Sequence, residues 1–132
     1  GRGISHNIIR HAFEQVDVNI STIVVPYARG LIMTERGSVD GVFNVTREQS
    51  TIDRFVFGNE PLFTITASFF FAKDYPTVAK NKWQFNNHTS KIFVAFSKLN
   101  PQSKHLSELL DKGLIALKKQ GKYQQLLLPL ND

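Results

Sequence analysis

From Asn44 to Asp53 the chain packs amide, hydroxyl and guanidinium groups into one short run, NVTREQSTID. Donor-rich segments of this kind hold small polar molecules without needing a catalytic group. Asn44, Thr46 and Arg47 are the ligand-binding candidates here, although Asn and Thr also serve ordinary turn chemistry by bonding their own backbone. Tyr27 and Arg29 follow an apolar run and would supply an aromatic wall and an anion donor. Thr64 and Thr66 alternate, so a strand points both to one face. The expected site is therefore Tyr27, Arg29, Asn44, Thr46, Arg47 and Thr64, with no catalytic residue. Asp40 and Glu60 form no recognisable acid/base pair. No Ser-His-Asp order, HExxH, GxGxxG or GxxxxGK[ST] motif occurs. His6 and His11 are five apart, which puts them on different faces of a helix, so no metal and no cofactor is expected.

The elements that must position these groups follow from periodicity and punctuation. Ile4, Ile8, Ile9, Ala12 and Phe13 make an apolar stripe and predict a helix from Gly3 to Gln15. Asn19 to Pro26 is short and rich in β-branched residues, which predicts a strand. Pro26 opens a helix over Tyr27 to Arg36, closed by Gly37. Val39 to Val45 reads as a strand, Phe55 to Phe57 as a short apolar piece, Leu62 to Lys73 as a long strand and Lys91 to Ser97 as another. Residues 74–90 read as a loop, with a proline, three asparagines and little periodicity. Asn100-Pro101 starts a long helix that ends at Gly121, and Tyr123 to Leu128 is a final short one. Helix, strand, helix, strand implies an α/β fold with a mostly parallel central sheet flanked by helices. Ligands of such sheets bind at the carboxyl ends of the strands. Expected core residues include Ile8, Phe13, Ile23, Val24, Val42, Phe43, Phe55, Phe70, Phe93, Ala95, Leu106, Leu110 and Leu117.

The 132 residues suffice for one domain with a real core, and 42% hydrophobic with 20% charged residues is globular composition. No apolar run reaches the roughly 18 residues of a membrane span. The absence of an initiating Met and of a visible signal peptide reads as a mature or trimmed piece. Without cysteine there is no disulfide and no thiol chemistry. The net charge of +5 is concentrated in late lysines, from Lys98 to Lys122. That motivates an alternative reading as a basic nucleic-acid-binding or protein-interaction domain. The helix-turn-helix signature and interleaved aromatics are missing, so no nucleic-acid partner is expected.

Four stretches carry a resemblance. They are GISHNIIRHAF at Gly3 to Phe13, VVPYARGLIMTERGSVDGVF at Val24 to Phe43, FVFGNEPLF at Phe55 to Phe63, and IFVAFSKLNPQSKHLSELLDKGLIALKKQGKYQQLL at Ile92 to Leu127. In this order they resemble the bacterial extracellular solute-binding family with the type II periplasmic-binding-protein fold, in particular members related to polar amino-acid-binding proteins. The resemblance implies a periplasmic or extracytoplasmic module. It would bind a small polar or anionic solute and serve a membrane transporter or a signalling partner. Lys73 and Ile92 leave no room for a second lobe of on the order of a hundred residues. The chain then matches lobe one alone, as a single domain over 1–132, with 74–90 as the place of the inserted lobe. The family's first strand, expected before Gly3, is missing as well. An exposed cleft or edge strand would pair with a partner or form a homodimer. Members that bind amino acids hold the ligand carboxylate with an Arg. Registering on Phe57 puts Thr51 near that position, with Arg47 earlier and Arg54 later.

Overall fold

The computed structural model describes residues 3–72 and 83–128; for 66–72 and 83–88 only the backbone is described. Helix α1 (Ile4–Glu14) is followed by α2 (Tyr27–Glu35), strand β1 (Gly41–Thr46), a single-turn α3 (Gln49–Ile52) and strand β2 (Phe55–Phe57). Strands β3 (Phe63–Ala72) and β4 (Trp83–Ser97) come next, then α4 (Ser103–Lys119) and α5 (Lys122–Leu126).

The sheet is antiparallel, not mostly parallel as the order of elements had implied. Strand β4 is the common partner: β1 lies along one edge of it, and β2 and β3 follow one another along the other. All three pairings are antiparallel. The parallel expectation rested on a strand at Asn19 to Pro26 feeding α2 and then β1. That segment has no regular structure; Ile23 is 61% and Val24 84% exposed, so neither belongs to the core. β-Branched residues favour a strand only where a pleated surface offers them neighbours, and this segment pairs with no strand among the described residues. Strand β4 is also longer than expected. Trp83 to Ser90, read as loop, continues its backbone ladder opposite β3, from Ala72↔Trp83 to Ile65↔Ser90. Residues 74–82 of that expected loop lie outside the described residues, as does the side chain of Phe70.

Helix ends follow the sequence closely. Gly37, at φ 79°, closes α2: its N–H donates to Thr34 O and the N–H of Ser38 to Met33 O, a paired cap that satisfies two terminal carbonyls. Asp17, at φ 60°, closes α1 the same way, with Asp17 N–H to Glu14 O and Val18 N–H to Phe13 O. Helix α4 begins at Ser103 rather than at Asn100; Asn100 Oδ1 accepts the Gln102 N–H and shapes the entry turn.

The core lies on both faces of β4, whose residues Ile92 to Ser97 are all buried. Ile92, Val94 and Phe96 share one cluster with α1, α4 and α5 through Ile8, Phe13, Leu110, Leu114, Leu117 and Tyr123. Each fully buried aliphatic side chain stabilises the fold by about 1.5–3 kcal/mol. The opposite face is thinner: Val45, Phe55 and Ala95 with Leu31, Val42 and Phe57, beneath α2. Val42, Phe43 and Leu106, expected in the core, are half-buried.

Candidate functional site

The end of β1 is where the chain departs from regular geometry. Its pairing to β4 shifts between Phe43 and Val45, so Asn44 is an inserted bulge residue, and its φ is 67°. Asn is one of the few side chains that visits this left-handed region routinely. The bulge has a packing consequence. In an unbroken strand Phe43 and Val45 would face the same side. Here Phe43 packs on the helical cluster, while Val45 is fully buried in the opposite cluster.

The bulge also aims the Asn44 amide at the start of α1. The hydroxyl of Ser5, itself buried, donates to Asn44 Oδ1. Gly3, as N-cap, offers no side chain to the first amides of that helix. Between them opens a groove of about 250 Å³ lined by Gly3, Ile4, Ser5, Phe43, Asn44, Phe63, Ile65 and Ile92. It is an apolar channel with polar groups at one end, the usual make-up of a small-molecule site. The Nδ2 of Asn44 makes no hydrogen bond among the described residues and so remains available as a donor.

The other expected residues go elsewhere. Thr46 Oγ1 donates to Glu48 Oε1 at 3.0 Å. Arg47 stacks on the second face of the sheet, its Cζ 5.7 Å from the Phe57 ring centre and 5.3 Å from that of Phe93. Its Nη1 donates to Gly58 O at 3.1 Å. Thr64 is exposed and pairs with Lys91 across the ladder, on the side away from Phe63 and Ile65. Tyr27 opens α2 and is 49% exposed; partial burial first, then the Glu48 carboxylate, push its phenol above the ordinary value. Arg29 is exposed and makes no ion pair or hydrogen bond among the described residues. The side chain of Thr66 lies outside the described residues. The six residues thus do not converge: Asn44 reaches the groove on the helical face, while Arg47 and Thr64 belong to the opposite face.

Three residues near the site have roles that sequence reasoning missed. Thr51 is buried; its hydroxyl donates to Thr46 O at 2.6 Å and accepts the Glu48 N–H at 3.1 Å. It fixes the α3 turn and is not free for a ligand. Arg54 forks onto Glu35, with Nη2 to Oε1 at 2.7 Å and Nε to Oε2 at 3.1 Å, over the Phe55 ring. That hydrogen bond is the main cause holding the Glu35 carboxyl below its usual range. Ser5 carried no signal beyond its place in the first turn of a predicted helix. Among the described residues no group of three or more His, Asp or Glu could hold a metal ion, and no helix is long and apolar enough to cross a membrane. Comparison with protein-family models finds no matching family, and comparisons with curated proteins and with solved structures find no match.

Proposed function

We propose that this chain is a non-catalytic binding module for a small solute with a polar or anionic end. The polar end meets Asn44 Nδ2 and the first amides of α1, where the helix dipole favours negative charge. The apolar body lies along Phe43, Phe63, Ile65 and Ile92. The observation that carries this reading is the left-handed bulge at Asn44. Bulges re-aim side chains and gather beside functional sites, and a non-glycine residue in this region costs energy that the surrounding structure must support. The resemblance of the four sequence stretches to extracellular solute-binding proteins supports the same function, in transport or sensing outside the cytoplasm.

A basic nucleic-acid-binding domain has less support. Lys118 pairs with Glu60 at 3.5 Å and Lys98 donates to Asp53 O at 2.5 Å, so part of the basic excess is engaged within the chain.

The test is a thermal-shift screen of small amino acids, carboxylates and sugar acids, followed by amide NMR titration of any hit. Binding is expected to move the Ser5, His6 and Val45 amides. Asn44→Gly keeps the left-handed backbone and removes the amide, and is expected to weaken binding about tenfold, roughly 1.4 kcal/mol. Undiminished binding by Asn44→Gly, or no hit in the screen, would overturn the proposal.

A further inference from the structure

We infer that Arg47, Lys91 and Thr64 form a second site, on the face of the sheet opposite the groove, that binds a small dianion. Arg47 lies against Phe57 and Phe93, which themselves meet edge to face at 6.0 Å and 81°. Two rings and the bond to Gly58 O fix the guanidinium plane. A fixed fork loses less freedom on gripping an oxyanion than a free side chain does.

Arg54 shows what such a platform takes in this molecule. Its Cζ is 5.1 Å over the Phe55 ring, and its fork holds the Glu35 carboxylate through two hydrogen bonds. Arg47 has the aromatic base but no carboxylate partner among the described residues. One of its five N–H groups is used, by Gly58 O. The neighbouring carboxylate of Glu48 accepts from Thr46 instead.

A second cation lies on the same face of the sheet. Lys91 lies two residues before Phe93 along β4 and so shares its face, about 7 Å away. It is exposed and makes no ion pair or hydrogen bond among the described residues. Thr64 is its direct cross-strand partner and adds a hydroxyl on the same face. A guanidinium fork, an ammonium and a hydroxyl suit a group with two negative charges: a phosphate or a short dicarboxylate. Guanidinium binds such oxygens bidentately, ammonium as a point charge.

The experiment titrates the full chain with inorganic phosphate, succinate and acetate at constant ionic strength, with sodium chloride as the control. The readouts are the Gly58, Lys91 and Phe93 amides and the Arg47 Nε–H. Saturable shifts with phosphate or succinate are expected, and whichever binds more tightly names the group. Arg47→Lys keeps the charge and removes the fork, and is expected to weaken binding about tenfold. Lys91→Gln is expected to weaken both dianions and leave acetate unchanged. Asn44→Gly, which tests the groove, is expected to leave this site unaffected. Non-saturating shifts matched by chloride, or full binding by Arg47→Lys, would overturn the site.

Discussion

Gly113 of α4 lies so close to Ala12 of α1 that a Cβ at Gly113 would stand 2.0 Å from the Ala12 carbonyl oxygen. The two helices meet there backbone to backbone, and Leu110, Leu114 and Leu117 close around the contact with Ile8 and Phe13.

This reverses an ordinary expectation. Gly→Ala inside a helix normally stabilises by about 1 kcal/mol. Gly113→Ala must push α4 off α1, and overpacking of a core costs about 1–3 kcal/mol or more. Urea denaturation should show a lower midpoint with an unchanged slope; a raised midpoint would mean the helices do not pack this closely.

At Asn44 the expected order is wild type, then Asn44→Gly, then Asn44→Ala. Glycine loses the bond to Ser5, about 1 kcal/mol, but accepts the positive φ. Alanine loses the same bond and adds about 1–2 kcal/mol for a left-handed backbone. Thermal melts of the two variants measure the difference directly. Equal stabilities would argue against the bulge.

Tyr123 supplies an alkaline signature. Its hydroxyl donates to Leu62 O, and burial, then the Glu60 carboxylate, raise its pKa above the usual 10.0. A raised value means the folded state prefers the neutral phenol. Its stabilisation is fully present below about pH 10 and is lost as pH rises through the folded value. Tyr123→Phe is expected to cost about 1–2 kcal/mol at neutral pH by stranding a buried carbonyl. The gap between wild type and variant should shrink in urea titrations above pH 10.

Glu35 supplies the acid counterpart. Its carboxyl is held low, chiefly by the hydrogen bond from Arg54. The pair's contribution is present above the ordinary carboxylate range and disappears as pH falls through the lowered value. The pair is exposed, so the effect is small. Glu35→Gln should flatten part of the loss of stability on acidification, and Arg54→Gln should do the same.

The helices were legible because their signals are local. The stripe of Ile4, Ile8 and Phe13 and the glycines at 37 and 121 need no knowledge of the rest of the chain. The sheet was not legible, because its pairing is set by distant partners. Asn19 to Pro26 has strand composition and yet pairs with no strand among the described residues. Trp83 to Ser90 is polar and still pairs with β3, because β3 lies beside it. Of the site, Asn44 and Arg47 stood out by type. An asparagine inside an apolar strand was the one sequence hint of a left-handed bulge. That Phe43 and Val45 would turn to opposite faces depends on that single inserted residue, which composition does not reveal.

Strand β4 is the only partner of β1, β2 and β3 among the described residues. Gly41 waits for Phe96, and Phe55 for Ser97. During synthesis, β1 emerges roughly fifty and β2 roughly forty residues ahead of the strand they pair with, which also fills the middle of the core. The β3–β4 ladder ends at Ile92 and can form first, but the β1 and β2 pairings cannot be completed until Ser97 has left the ribosome, so that part of the sheet closes late and through contacts distant in sequence. Until then the apolar residues of β1 and β2 are exposed in the nascent chain, the period in which a holding chaperone matters most.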